Sequence, residues 1–434
     1  MAVHKRDLAC FLLVLCAALA WRLTGLTFDS LWLDEGYQSV VDAYGQALPD
    51  FSQVPDRPFV YRPQMPAVPQ DMLSNFRKVD QLTPPLYQLL LNRWITAFGS
   101  SDIALRLLTV LISVCSVGAV FICGRLLFGL PCAFLAGMVQ AFSPFDVYYG
   151  QEVRMYALEE LAATVSCASL LLFLFRPLSR SQRIFAIVLH GIAVWALINS
   201  HYTGLFVLAF EIALGLLVAC GRRSPATALS LLAGWLLALT LWLPWLRMFL
   251  QAAAMRTASF YVARQPSFWW PFAALFLRIP ANWLVFLSGK QVVGPALPLF
   301  ASSAVILFWP IVCPIVRWLK ERAAARRYGA AARRYGAAVP GNSMFASDGR
   351  RTASPLQSPR RERIVLACVW GWAIVPAVLL WAIDVVENHR VIEISRYTIA
   401  TAPAIYLLAG FGLAALTRRP KFLVPLLTCQ LIFA

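Results

Sequence analysis

Charge is what this chain has least of. Of its 434 residues only 14% are charged and 21 are acidic, while 60% are apolar. A soluble domain carries roughly a quarter of its residues as charges, so the soluble classes are excluded. Thiol chemistry lacks its signature as well. The ten cysteines (Cys10, Cys16, Cys115, Cys123, Cys132, Cys167, Cys220, Cys313, Cys368, Cys429) form no C-x-x-C pair. They fall in or beside apolar runs, where cysteine behaves as a small buried hydrophobe, so neither a disulfide framework nor a zinc site is read. No small-residue cleavage site precedes the Asp34 loop convincingly, which favours a retained first helix over a signal peptide. No repeat relates the two halves.

What is present is apolar sequence of membrane-spanning length, recurring along nearly the whole chain. The reading is an all-α polytopic membrane bundle over residues 1–434 with about eleven spans. They fall near 8–26, 103–128, 131–147, 156–176, 184–199, 203–220, 226–249, 296–317, 364–383, 397–417 and 421–434. Two further stretches, Pro85 to Phe98 and Phe268 to Leu287, are interrupted by Asn92 and Arg93 and by Arg278, Pro280 and Asn282. The net charge of +17 suggests a nucleic-acid partner only until its positions are considered. With a cytoplasmic N-terminus and both interrupted stretches lying along the membrane surface, the basic links around Arg125, Arg176–Arg183, Arg222–Arg223 and Arg418–Lys421 all fall inside, as the positive-inside rule demands. So does the 317–363 loop, with its Arg326-Arg327-Tyr328-Gly329-Ala330 segment and a near-copy from Arg333 to Ala337. That loop reads as a disordered linker that binds membrane lipids, not a repeat fold and not a nucleic-acid site. The chain ends inside the apolar run 422–434, so a C-terminal continuation is expected.

This topology gathers the unusual polar residues on the non-cytoplasmic face. Asp34 and Glu35 follow the first span, and carboxylates near bilayer depth tend to be kept for function. Glu152, Arg154 and Tyr156 lie in a second outer segment, and His201 in a tight third turn. Lys290 follows the second surface stretch, and Glu393, Arg396 and Tyr397 close the last outer loop. Each has an ordinary reading taken singly. An acidic pair solvates a loop, Glu152 and Arg154 start a helix, His201 supports a turn, Lys290 and Arg396 snorkel, and tyrosines belong to the interfacial belt. Acids, cations and aromatics delivered to one face by separated segments point instead to a site.

Several of these stretches form a familiar series. Ser30 to Tyr37, Thr83-Pro84-Pro85-Leu86-Tyr87 through Trp94, Ala104 to Leu108, Ser143-Pro144 through Leu158, and Ser395-Arg396-Tyr397 followed by Pro403 occur in this order. The series resembles the polytopic GT-C glycosyltransferases, in the group containing protein O-mannosyltransferases and the lipid A aminoarabinose transferase. The resemblance covers roughly residues 8 to 417. It lacks an obvious large outer C-terminal domain, which argues against a peptide acceptor held by such a domain.

The resemblance implies a sugar moved from a polyprenyl-phosphate carrier to a lipid, glycan or protein acceptor, with the site on the periplasmic side of a bacterial inner membrane. Asp34 is the implied base for the attacking hydroxyl, with Glu35 orienting its surroundings or sharing the role. Arg154, Lys290, Arg396 and His201 are candidates for the leaving phosphate, with Glu152, Tyr156 and Tyr397 beside them. Glu152 holds an arginine or acts on the sugar. One displacement predicts inversion at the anomeric carbon. No cofactor is required; Asp34, Glu35 and Glu152 offer oxygen ligands to a divalent metal as an open alternative. The rival reading is a transporter or lipid flippase, which needs ionisable residues deep inside the helices, where Glu211 stands out.

Overall fold

The structure, a computed structural model, describes residues 5–28, 31–32, 34–45, 83–254, 268–288, 302–306, 308–309, 359–387 and 389–417. Lys290, most of the 317–363 loop, most of the expected span at 296–317 and the expected span at 421–434 lie outside the described residues. Helices carry nearly all of the remainder, as an apolar chain requires when lipid offers no partner to a free peptide group.

In chain order they are α1 (Lys5–Leu23), α2 (Leu86–Phe98), α3 (Asp102–Leu127), α4 (Leu130–Phe142), α5 (Pro144–Gln151), α6 (Tyr156–Phe175), α7 (Arg180–Ser200), α8 (Gly204–Gly221), α9 (Pro225–Ala254), α10 (Ile279–Ser288), α11 (Pro359–Glu387) and α12 (Ala402–Leu416). Their ends follow local chemistry. Ser101 caps α3 by accepting the Ala104 N–H, and Ser179 with Gln182 forms a reciprocal capping box on α7. Helix α12 is buried along almost its entire length, against α4, α11 and α6. Gly410 permits that approach: a Cβ there would lie 2.5 Å from the Ala136 backbone nitrogen.

Among the described residues eight helices are long and apolar enough to cross a membrane, or nine if the bent pair α4–α5 counts as one. The expected eleven are therefore not reproduced. Helix α1 forms but carries Lys5, Arg6, Asp7 and Arg22, and two expected spans fall wholly or mostly outside the described residues. Helix α2 has 13 residues, about 20 Å of rise, too short to cross an apolar layer of about 30 Å.

The stretch 270–287 does reach spanning length and composition. The breaks read in its sequence are absorbed. Pro280 has no N–H to give the preceding turn, and the helix widens to a π-type turn over Ala274–Arg278 just before it. Asn282 is buried and bonded rather than exposed to an interface. Polar bonds tie this stretch to several segments. Trp270 bonds Glu393, Asn282 bonds Ile392, and the Phe286 carbonyl accepts from Ser143. This strap runs from Glu393 and Ile392 inward along α12, where Leu287 packs against the Ile306, Ala409 and Leu413 cluster, so the expectation of a helix lying along the membrane surface is not reproduced.

The 61° bend between α4 and α5 falls at Ser143–Pro144, where proline interrupts the ladder. Arg22, fully buried, fills the break. It donates to the Ala141 carbonyl at 3.2 Å and to Ser113 Oγ at 2.7 Å, and pairs with Asp146 at 2.6 Å. The sequence reading set Glu211 apart as the ionisable residue inside the helices, and the structure corrects it. Arg22, Arg106, Asp146, Glu159, Glu160 and His190 are buried there as well. The two arginines are paired with Asp146 and Glu35, which is how a bundle tolerates charge at depth.

Candidate active site

The site is built on the chain that leaves α1. Residues Asp34–Val40 form a wide π-type turn that runs directly into Val41–Ala43. Glu35 fastens its start. That carboxylate is 2% exposed and takes the Val153 N–H at 2.8 Å, the Trp32 N–H at 3.2 Å and Arg106 Nη2 at 3.3 Å. Arg106 is itself tied to the Leu26 carbonyl at 2.6 Å. Neighbours in sequence thus have different surroundings: Glu35 turns inward to hold three segments together, while Asp34 keeps a quarter of its side chain exposed.

The second segment is the reversal between α5 and α6. A tight turn, with the Arg154 N–H on the Glu152 carbonyl at 2.6 Å, brings Glu152 and Arg154 to the Asp34 turn. Arg154 Nη1 lies 3.3 Å from the Asp34 carbonyl and 3.4 Å from Ser39 Oγ. Glu152 Oε1 accepts Trp32 Nε1–H at 3.0 Å, whereas Oε2 is buried without a partner among the described residues. Burial pushes the Glu152 carboxyl up to about 7; Arg154 and Arg396 oppose that rise, and the Glu35 charge adds to it.

The third segment is the turn Ser395–Thr401, which leads into α12. Its Arg396 enters an aromatic enclosure, with the guanidinium carbon 5.8 Å from the Trp32 ring centroid, 5.7 Å from Tyr156 and 5.6 Å from Tyr397. Its ion-pair contact with Asp34 is long, 3.7 Å, and Nε has no partner among the described residues. His201 closes the far side, its ring 5.5 Å from Tyr397 and 6.1 Å from Tyr156. Thr203 links His201 to the buried Glu159 through its hydroxyl. Burial drives the His201 imidazole down to about 3, helped by the charges of Arg154 and Arg396, so the ring is neutral at ordinary pH.

Asp34, Glu35, Glu152, Arg154, Tyr156, His201, Arg396 and Tyr397 therefore converge; Lys290 is outside the described residues. Four participants carry no role in the sequence reading. Trp32 joins Glu152 to Arg396, Arg106 holds Glu35, and Thr203 with Glu159 supports His201. Arg106 and Glu159 had a usable signal, ionisable residues within apolar helices; Trp32 stood inside the Ser30 to Tyr37 motif without a role of its own.

The metal alternative rests on Asp34, Glu35 and Glu152 acting as one ligand set. Both oxygens of Glu35 are engaged by its three donors, and the described residues bring no three acids, histidines or cysteines together as a cation site. Glu35 is thus committed to its donors, Asp34 and Glu152 remain as oxygen ligands, and no step is derived through a metal.

This helical arrangement occurs in solved structures. The chain superposes on ArnT from Cupriavidus metallidurans bound to undecaprenyl phosphate with a TM-score of 0.55 at 15% identity, over 95% of this chain and 62% of that one. It superposes on the apo Archaeoglobus fulgidus oligosaccharyltransferase with a TM-score of 0.52 at 13% identity, over 98% of this chain and 54% of that one. Both are GT-C glycosyltransferases. The chain is a multi-pass membrane protein with the GT-C fold, as its motif order implies, and spans less than two thirds of the length of either structure. No family profile and no curated protein sequence matches it.

Proposed function

We propose that this protein transfers a sugar from a polyprenyl-phosphate carrier to an acceptor hydroxyl, at the periplasmic face of a bacterial inner membrane. One observation carries the reading. Arg396 is held among three aromatic rings, beside the Arg154 segment, and among the described residues its Nε has no partner and its ion-pair contact is a long one to Asp34. A cation oriented but not saturated fits a phosphate that arrives with substrate. The comparison with ArnT bound to undecaprenyl phosphate supports the same carrier class.

The acceptor oxygen attacks the anomeric carbon as the bond from that carbon to the phosphate oxygen breaks. Asp34, the partly exposed carboxylate next to Arg396, takes the acceptor's proton. Arg396 and Arg154 receive the charge that collects on the leaving phosphate. Glu35 is a positioning residue, since its carboxylate is engaged by Val153, Trp32 and Arg106. Glu152, whose Oε2 has no partner among the described residues, is placed against the sugar hydroxyls. Tyr156, Tyr397 and neutral His201 form the wall. A single displacement inverts the anomeric centre.

Transport or lipid flipping is the competing reading, and the buried helix acids are its best argument. Glu211 is fully buried and accepts a bond from the Cys167 thiol at 3.2 Å, an internal contact between two helices. The deciding experiment incubates the purified protein with a panel of polyprenyl-phosphate sugars and compares it with Asp34→Asn. Transfer with an inverted anomer, abolished in Asp34→Asn, is expected. A fully active Asp34→Asn removes the base, a retained anomer removes the single displacement, and solute movement without transfer removes the whole reading.

A further inference from the structure

The Arg396 turn has a feature that its own sequence does not explain. Ser395–Thr401 is a 3-10 turn of helix that leads into α12, and the carbonyl and hydroxyl groups at its start have fewer intrahelical partners than those of a longer α-helix. A single side chain from the strap supplies several. Asn282 of α10 is 3% exposed, and both ends of its amide are used. Nδ2 donates to the Ile392 carbonyl at 3.1 Å and reaches Thr398 Oγ1 at 3.4 Å, while Oδ1 accepts the Ser395 hydroxyl at 3.1 Å. Thr398 closes the loop by donating to the Ser395 carbonyl at 2.9 Å.

Ser395 and Thr398 bracket Arg396 and Tyr397. Asn282 therefore holds the backbone segment that carries Arg396 at residues before and after it in sequence. The other strap contacts act elsewhere: Trp270 bonds Glu393 before the turn, and Ser143 meets the Phe286 carbonyl beyond it. The aromatic rings around Arg396 limit its tilt but leave its backbone origin free. Asn282 limits that origin.

We infer that Asn282 is a positioning residue for the phosphate step: it sets the place of Arg396 through Ser395 and Thr398 and so determines affinity for the polyprenyl-phosphate group. The inference rests on the proposed role of Arg396. A positioning role and a purely fold-stabilising one separate in a double-mutant cycle.

The probe is undecaprenyl phosphate, titrated in detergent against wild type, Asn282→Ala, Asn282→Asp, Arg396→Ala and Asn282→Ala/Arg396→Ala, each at a confirmed folded fraction. Asn282→Asp keeps the acceptor for Ser395 and loses both donors. Asn282→Ala is expected to weaken binding about tenfold, Asn282→Asp by several-fold, and Asn282→Ala to have no further effect once Arg396 is gone. If Asn282→Ala does not fold, Ser395→Ala, which removes one bond and leaves Asn282 in place, enters the same cycle. Additive losses, or unchanged affinity in every Asn282 variant, overturn the inference while leaving the role of Arg396 intact. Wild-type affinity in Arg396→Ala overturns the phosphate role first and this inference with it.

Discussion

Replacing Glu35 distinguishes a shared base from a latch. In Glu35→Gln the two backbone N–H groups, from Val153 and Trp32, retain one carbonyl oxygen between them, and Arg106 loses its anion. Arg106 is 6% exposed, so water does not replace the lost partner freely. Charge-assisted hydrogen bonds are worth about 1.5–3 kcal/mol, and removing one member of a buried pair costs about 3–5 kcal/mol. Glu35→Gln, which keeps volume and one acceptor, is expected near the lower range, about 2 kcal/mol. Glu35→Ala, which strands both amides and the cation, belongs near the upper, about 4 kcal/mol. Denaturant-induced unfolding in detergent, followed by tryptophan fluorescence, measures this. Because the latch carries Trp32 and Asp34, donor affinity should fall in parallel. Replacing Arg106 by Met in the Glu35→Gln background should recover part of the stability, since an uncompensated buried charge is then removed. A Glu35→Gln protein of wild-type stability and donor affinity, but without turnover, refutes the latch and makes Glu35 part of the proton-accepting pair.

Two acid–base groups give opposite pH signatures. Glu152, raised by burial to about 7, holds its proton in the folded state after the unfolded chain has lost it, so stability falls as pH rises from 4.5 to about 7; Glu152→Gln should flatten that slope. His201, lowered by burial to about 3, resists protonation in the folded state, so its contribution is full above 6.5 and is lost as pH falls toward 3; His201→Gln should remove the loss, read from unfolding curves across that window. At the α4–α5 bend, Arg22→Met alone strands the buried Asp146 carboxylate and should cost about 3–5 kcal/mol, whereas Arg22→Met/Asp146→Asn should cost markedly less. Folded yield and unfolding midpoint compare them, and equal losses in both variants would sink the ion-pair argument.

The sequence was most informative where the chemistry is local. Long apolar runs specify helices, and α3, α6, α7, α8, α9, α11 and α12 fall where hydropathy places spans. The Asp34 turn, the Glu152–Arg154 reversal and Arg396 were also legible, because polar groups beside membrane helices are expensive enough to be conspicuous. Asn282 was misleading: read as an interruption, it is a buried tether, and only its partners at Ile392, Ser395 and Thr398 reveal that. Trp32 stood inside the Ser30 to Tyr37 motif, but its role was not legible, because its bond to Glu152 and its place beside Arg396 depend on segments far away in the chain.

By itself, then, the sequence determined the environment: an apolar, basic chain must be a bundle of helices in lipid, with its conspicuous polar segments between them. Hydropathy and charge are properties of each residue and need no partner to be read. The tertiary structure decided the division of labour between Asp34 and Glu35. Adjacent and chemically alike, one meets Arg106, Val153 and Trp32 and becomes a latch. The other stays partly open beside Arg396. That difference arises from groups up to a few hundred residues away, and only folding brings them within hydrogen-bonding range.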